Sequence, residues 1–209
     1  MLARLDHTRV LSLVHVGEDP GRGPFLVAPF LRRGSVFDVM VRAGEVEVPR
    51  VLAWASQSLE ALAAVHATGV VHRDVKPENI LVGDDDGALL SDFGIALDPH
   101  DRGTMVDRPL GSINYMAPEQ LANPSRVGPA ADLYSLGATV FAVLTRNAGI
   151  KLMTPVTRDD ALALLPPPIR AVVERATHPF PEGRHPDADT LRAEIDAIRA
   201  TWPEPGGRR

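Results

Sequence analysis

The chain contains no cysteine, and lysine occurs at only two positions, Lys76 and Lys151. The lack of cysteine excludes disulfides, thiolate chemistry and cysteine-ligated zinc. No apolar run is long enough to span a membrane, and no signal peptide opens the sequence. The net charge of −5 argues against a nucleic-acid-binding surface, which needs a basic patch. These absences predict a soluble cytoplasmic protein with no nucleic-acid partner and no membrane span.

What remains is an ordinary globular composition with one dense group of polar residues. The chain has 209 residues, of which 44% are hydrophobic and 23% charged, enough for one or two domains with a core. Residues 72–79 have the sequence HRDVKPEN, which combines an acid, cations and an amide. Its proline excludes a plain helix or a central strand. A short apolar run at 80–82 follows, and then Asp92-Phe93-Gly94.

The pair HRDVKPEN and DFG resembles the catalytic loop and the metal-binding loop of the protein kinases. Lys76, two residues after Asp74, resembles the serine/threonine branch of that family. The resemblance implies that Asp74 orients the substrate hydroxyl and that Lys76 neutralises the γ-phosphate of ATP. It also implies that Asn79 and Asp92 are ligands of Mg²⁺, an ion that takes hard oxygen ligands. The competing interpretation is a solvated surface turn, which the order of the two motifs disfavours.

The same resemblance gives roles to residues around the nucleotide and the activation loop. It implies that Ala28, Leu31 and Leu81 contact the nucleotide, with Leu81 as the apolar floor under adenine. Arg73 is expected to bind a phosphate on an activation loop at 95–110. Thr104 is the candidate acceptor of that phosphate, and an exposed loop threonine is an equally good interpretation.

Four further residues are expected to shape the large lobe. Ser112 lies in the segment that resembles the seat of the substrate's acceptor residue. Asp132 is expected to cap the backbone of the catalytic loop. Glu119, in the Ala-Pro-Glu motif, is expected to pair with Arg184, for which a plain surface arginine is the alternative.

Hydrophobic spacing and the resemblance together predict an α+β, protein-kinase-like fold with a mainly helical large lobe and a remnant two-strand hairpin of the small lobe. Strands at 10–16 and 24–30 form that hairpin. Strands at 80–82 and 89–91 form a second hairpin, joined by a solvated acidic turn at 83–87. Helices at 49–68 and 130–146 form the core, and a short helix lies within 157–165. The predicted division is a small-lobe remnant at 1–30, a large lobe at 31–201 and a flexible tail at 202–209.

Several parts of a kinase have no counterpart in this sequence. There is no glycine-rich loop, no Val-Ala-Ile-Lys strand and no helix glutamate to pair with its lysine, and the substrate-docking region after Arg146 is short. The first hypothesis is a serine/threonine protein kinase that uses ATP and Mg²⁺ on a protein substrate and is slow by itself. The alternative is a pseudokinase-like scaffold or regulatory binding module. A third interpretation is a fragment of a kinase. A partner that covers the place of the missing small lobe is expected to restore the activity of the kinase.

Overall fold

The computed structural model describes residues 7–93 and 110–203. Within these ranges the chain forms four short strands and seven α-helices. In chain order they are β1 (His15–Asp19), β2 (Gly23–Val27), α1 (Val36–Ala43), α2 (Val48–His66), β3 (Ile80–Val82), β4 (Ala88–Leu90), α3 (Pro118–Ala122), α4 (Ala130–Thr145), α5 (Pro155–Leu162), α6 (Pro167–Ala176) and α7 (Ala188–Thr201). Short 3₁₀ helices lie at Pro77–Asn79, Leu110–Tyr115, Pro124–Arg126, Gly149–Leu152 and Pro181–Gly183. No helix in the described ranges is long and apolar enough to cross a membrane.

Helix α4 is the centre of the core. Thirteen of its residues are buried, and they lie on every side of its axis, as expected for a helix enclosed by the protein. It packs against α2 and α6, and α2 also packs against α7. The two core helices predicted from the sequence are confirmed, with ends that differ by at most two residues. The predicted mainly helical lobe with two small hairpins is also present.

The strands of the first hairpin have other ends than the sequence predicted, since the first lies later in the chain and the second begins one residue and ends three residues earlier. β1 and β2 pair antiparallel from His15 opposite Val27 to Asp19 opposite Gly23, so the predicted strands at 10–16 and 24–30 were wrong at their ends. The Asp19 side chain accepts hydrogen bonds from the amides of Gly21 and Arg22, both at 2.9 Å. These bonds close the turn after Asp19, and the first strand therefore continues up to that residue.

Val10 belongs to a different part of the fold. It forms a parallel bridge to Leu90, with Leu90 N–H donating to the Arg9 carbonyl at 2.8 Å and Leu11 N–H donating to the Leu90 carbonyl at 2.9 Å. Val10 is buried in the main core. Burial of this one side chain draws the segment before the hairpin onto β4, which local alternation of apolar residues does not reveal.

The β1–β2 hairpin is exposed on both faces. None of its residues is buried, and its large apolar side chains include Val16 at 56% exposure and Phe25 at 43%. Val14, just before β1, is 68% exposed. These side chains form an apolar surface without a cover in the described structure. Because an isolated two-stranded hairpin is marginally stable in water, such a cover would be expected to stabilise it.

The second hairpin is fixed by its acidic turn. β3 pairs with β4 from Ile80 opposite Leu90 to Val82 opposite Ala88, so the second strand begins one residue before the predicted 89. Asp86 has a left-handed backbone with φ of 66°, and its carboxylate accepts hydrogen bonds from Arg33 at 2.8 Å and from Arg50 at 2.5 and 2.8 Å. Its carbonyl accepts a bond from Trp54 Nε1 at 2.9 Å. The turn predicted to be solvated is therefore anchored to α2 and to the segment before α1.

The last part of the chain completes the helical lobe. α5 begins at Pro155, two residues earlier than predicted, because proline is favoured in the first turn of a helix. The predicted domain boundaries stay predictions. Trp202, assigned to the tail by the sequence, is partly buried and packs against the core.

Candidate active site

Asp132 fixes the backbone of the HRDVKPEN loop. It lies in the first turn of α4 and is fully buried. Its carboxylate accepts hydrogen bonds from the amides of His72 at 2.9 Å and Arg73 at 2.7 Å. A third partner is His66 Nε2 at 2.7 Å. A buried carboxylate is stable only when it is bonded in this way, so the loop and α4 are held together at the position that the sequence assigned to Asp132.

His72 connects this loop to the segment that contains Asp92. Its Nδ1 accepts a bond from the Asp74 amide at 3.2 Å, so its Nε2 carries the proton and donates to the Ser91 carbonyl at 2.8 Å. The ring packs against Phe93 with 4.6 Å between centroids. Burial lowers the pKa of His72 below its usual value. The neutral ring therefore connects the HRDVKPEN loop to Ser91 and Phe93 through these contacts.

Asp74 lies between two side-chain donors from the same loop. Lys76 Nζ donates to Asp74 Oδ2 at 2.7 Å, and Asn79 Nδ2 donates to the same oxygen at 2.9 Å. Asn79 Nδ2 also donates to the Asp74 carbonyl at 2.8 Å. The structure therefore brings together the two predicted catalytic residues and one of the two predicted metal ligands.

Asp92 is exposed and has a left-handed backbone with φ of 56°. Ser91 links it to Asn79, because the Ser91 amide donates to the Asn79 carbonyl at 2.9 Å and the Ser91 hydroxyl donates to Asp92 Oδ2 at 3.1 Å. In the described ranges no group of three or more histidine, cysteine or acidic residues forms a metal site. One carboxylate and one amide oxygen suit Mg²⁺, which completes its shell with water and phosphate oxygens. The residues present therefore fit that ion.

Two of the three residues expected at the nucleotide, Leu81 and Leu31, lie in or beside β3. Leu81 is half-buried at the centre of β3 and bridges to Ser35. Val82 N–H donates to the Gly34 carbonyl at 2.8 Å, and Gly34 N–H donates to the Leu31 carbonyl at 3.1 Å. These bonds place the turn that contains Leu31 beside β3. Ala28 is half-buried and directly follows β2.

Glu119 and Arg184 form a two-pronged ion pair. Arg184 Nη1 and Nη2 donate to the two carboxylate oxygens of Glu119 at 2.6 and 2.8 Å. The Arg184 side chain is fully buried and that of Glu119 is 20% exposed. The guanidinium also lies 5.0 Å from the ring of Tyr134, whose pKa is raised to about 12 by burial. The pair ties α3 to the segment before α7.

No side-chain contacts are described for two of the three predicted regulatory residues. Thr104 lies outside the described residues, and for Ser112 the structure gives only its place in the 3₁₀ helix Leu110–Tyr115. The third, Arg73, has a left-handed backbone with φ of 66° and a half-buried side chain.

The sequence analysis did not identify Gln120, whose Nε2 donates to the Arg73 carbonyl at 2.9 Å. A local signal does exist, because Gln120 is the third residue of a helix with proline at its start, a position that bonds back to the helix cap. Ser91 and Asp86 were also missed. Asp86 is bound by arginines 53 and 36 residues away, and Ser91 joins the adjacent Asp92 to Asn79, twelve residues earlier, so no local pattern marks either role.

Comparison with known proteins places this geometry in a family. The protein kinase domain family matches residues 1–159. The chain belongs to the protein kinase family. The resemblance stated from HRDVKPEN and DFG is thus confirmed.

Among curated members of the kinase family, serine/threonine-protein kinase PknL of Mycobacterium tuberculosis is 33% identical over 216 residues, covering 94% of this chain and 52% of PknL. Serine/threonine-protein kinase PknH of Mycobacterium bovis is 36% identical over 201 residues, covering 90% of this chain and 33% of PknH. The chain therefore spans about half the length of PknL and about a third of the length of PknH.

A solved kinase structure has the same fold. The crystal structure of Rad53 1-466 in complex with AMP-PNP superposes with a TM-score of 0.73 at 24% identity, covering 93% of this chain and 52% of that one. At this identity the similarity supports the fold, and the bound nucleotide is a property of Rad53.

Proposed function

We propose that this chain is the large lobe of a serine/threonine protein kinase, which transfers the γ-phosphoryl group of ATP to a Ser or Thr hydroxyl of a protein. The observation that carries this proposal is the arrangement around Asp74. Lys76 and Asn79 both donate to its carboxylate, and Asp132 holds the loop from beneath. An acid beside a cation on a fixed loop suits an in-line phosphoryl transfer, which depends on positioning and charge.

In this proposal each loop residue has one task. Asp74 orients the substrate hydroxyl and receives its proton as the new oxygen–phosphorus bond forms. The bond between the β-phosphate oxygen and the γ-phosphorus breaks, and ADP leaves. Lys76, now paired with Asp74, donates to the γ-phosphate when ATP is bound and offsets its negative charge.

Asn79 and Asp92 would hold Mg²⁺. Bound there, it would supply positive charge that offsets the negative charge of the ATP phosphates. Asn79 donates to Asp74 through Nδ2, so its amide oxygen is the ligand atom. Asp92 supplies a carboxylate at the exposed side of the same loops. Ser91, bonded to both segments, links the two ligands.

The nucleotide and regulatory assignments also belong to this proposal. Leu81, Leu31 and Ala28 would contact the adenine through their apolar atoms, and the bonds between 31–35 and β3 support this placement. Arg73 would bind a phosphate on Thr104, and Ser112 would help to seat the acceptor residue. A requirement for ATP supports the cytoplasm as the compartment.

The nucleotide site formed by this chain lacks several parts. The sequence has no glycine-rich loop, and its second lysine, Lys151, lies in the 3₁₀ helix before α5, where it donates to Asn147. Loss of one preorganised donor typically costs about 10²–10³ in rate. We therefore expect slow turnover from this chain alone and a faster rate when a partner covers the exposed hairpin with Val14, Val16 and Phe25.

The test is ATP-dependent phosphorylation by the purified chain, with Asp74→Asn as the blank. Turnover that depends on Asp74 supports a kinase. The exposed hairpin favours the second candidate function, a scaffold or regulatory module that binds without catalysis. Equal turnover in the native chain and in Asp74→Asn would rule out the kinase function and favour the scaffold or regulatory module.

A further inference from the structure

The backbone at Arg73 is in a conformation that residues other than glycine rarely adopt. Its φ is 66°, in the left-handed region, where Cβ crowds the following carbonyl. Such conformations persist when surrounding contacts determine them. Arg73 directly precedes Asp74, so whatever fixes the Arg73 carbonyl also fixes the peptide that leads into the proposed catalytic carboxylate.

Both polar atoms of that peptide are bonded. The peptide between Arg73 and Asp74 contains the Arg73 carbonyl and the Asp74 amide. The amide donates to His72 Nδ1 at 3.2 Å, and the carbonyl accepts from Gln120 Nε2 at 2.9 Å. One partner is therefore local to the loop. The other partner comes from α3, which follows the catalytic loop in the chain after the segment at 94–109.

Gln120 is itself oriented by a second bond. Its Oε1 accepts from the Ala117 amide at 3.0 Å, which leaves Nε2 directed at Arg73. The residue is 5% exposed, so water does not replace either bond easily. Its neighbour Glu119 is paired with the buried Arg184. Gln120 is thus held on α3, which is anchored to the helical lobe.

We propose that Gln120 is a positioning residue for Asp74. Its side-chain amide connects the end of the Ala-Pro-Glu segment to the catalytic loop and stabilises the left-handed Arg73. As far as catalysis is concerned, this inference rests on the proposed kinase function. The bond between α3 and the loop is a separate claim that can be measured without any substrate.

The variant that isolates this bond is Gln120→Glu. A carboxylate of the same shape still accepts from the Ala117 amide, but it has no N–H to donate to Arg73. Gln120→Met removes both bonds and keeps the length of the side chain. The matched control is Gln57→Met, because Gln57 Oε1 accepts from the backbone amide of Ala88 at 2.7 Å. That bond is equally part-buried and lies outside the catalytic loop.

The first measurement is amide hydrogen exchange in native conditions without nucleotide. We expect the peptide that covers residues 72–79 to exchange about two- to tenfold faster in Gln120→Glu, the range expected for loss of one hydrogen bond. The same peptide should be unchanged in Gln57→Met. Unchanged exchange of 72–79 in folded Gln120→Glu would overturn the proposal.

The second measurement is Asp74-dependent turnover. We expect kcat to fall on the order of 10- to 100-fold in both Gln120 variants, since displacement of a catalytic group reaches that size. KM for ATP should stay within about twofold, because the bonds of Gln120 go to Ala117 and Arg73 and not to the segments that contain Leu81 and Leu31. Faster exchange with unchanged kcat, or a matching loss in Gln57→Met, would overturn the positioning role. If the native chain shows no Asp74-dependent turnover, the proposed function fails, and the exchange result alone decides whether Gln120 clamps the loop.

Discussion

Replacement of Arg184 by alanine should lower the stability of this chain more than removal of any exposed ion pair. Arg184 is fully buried and donates to both oxygens of Glu119. It also donates to the carbonyls of His178 at 2.8 Å and Ala130 at 2.9 Å. Arg184→Ala leaves a largely buried carboxylate without its cation and these carbonyls without their donor.

The expected magnitude follows from the burial. Removal of one partner of a buried pair typically costs about 3–5 kcal/mol, because the remaining charge stays in the interior. For a chain of this size each kcal/mol shifts the melting temperature by about 2–4 °C. Arg184→Ala should therefore melt roughly 6–20 °C lower than the native chain.

The matched control is Arg175→Ala. Arg175 pairs with Glu194 at 2.7 Å, close to the distance in the buried pair, but the side chains are 46% and 37% exposed. Exposed pairs contribute about 0–1 kcal/mol, so this variant should melt at most about 4 °C lower. Thermal unfolding followed by circular dichroism compares the two. Equal melting temperatures for Arg184→Ala and Arg175→Ala would contradict the account of the buried pair.

Three further results are expected. Asp92→Ala should weaken Mg²⁺–nucleotide binding, measured by titration calorimetry of whichever assembly binds nucleotide, and unchanged binding would refute the ligand assignment. Ser35→Ala should cost about 1 kcal/mol, because Ser35 Oγ accepts from the Asp38 amide at 3.1 Å and caps α1; a melting temperature equal to the native value would show that the cap contributes little. Burial lowers the pKa of His185 in the folded chain. In the unfolded chain this histidine has its usual pKa of about 6.5 and therefore binds a proton at a higher pH than in the folded chain. The free energy of unfolding should therefore fall as pH decreases from 7.5 to 5.5. His185→Gln should reduce that fall without abolishing it, because His72 shifts in the same direction; an identical fall in both chains would count against the assignment.

The sequence predicted the parts of the fold that local patterns determine. The helices at Val48–His66 and Ala130–Thr145 follow from dense apolar spacing, and their ends are close to those predicted. The loop at 72–79 was found because its residue types are chemically distinctive and stand in a fixed order before DFG. Family resemblance then named Asp132 as the cap of this loop and Glu119 with Arg184 as an ion pair, and the structure brings these residues to those contacts.

What the sequence did not predict depends on contacts between distant segments. Val10 pairs with Leu90 because its side chain enters the core, although alternation placed it in the first hairpin. Asp86 is bound by arginines from two other segments, whereas three neighbouring aspartates alone indicate a solvated turn. Gln120 reaches the catalytic loop across 47 positions of sequence. Spacing within a segment contains no information about any of these pairs.

The measurement that tests the central claim most directly is γ-phosphoryl transfer from labelled ATP to Ser- and Thr-containing protein by the purified chain, beside Asp74→Asn. The account predicts slow transfer that requires Mg²⁺ and disappears in Asp74→Asn, because the carboxylate held by Lys76 and Asn79 orients the acceptor hydroxyl. Fast transfer lost in Asp74→Asn would keep the catalytic role and refute the expectation that the chain alone is slow. Transfer of equal rate in both chains would contradict the claim that this loop is a catalytic site.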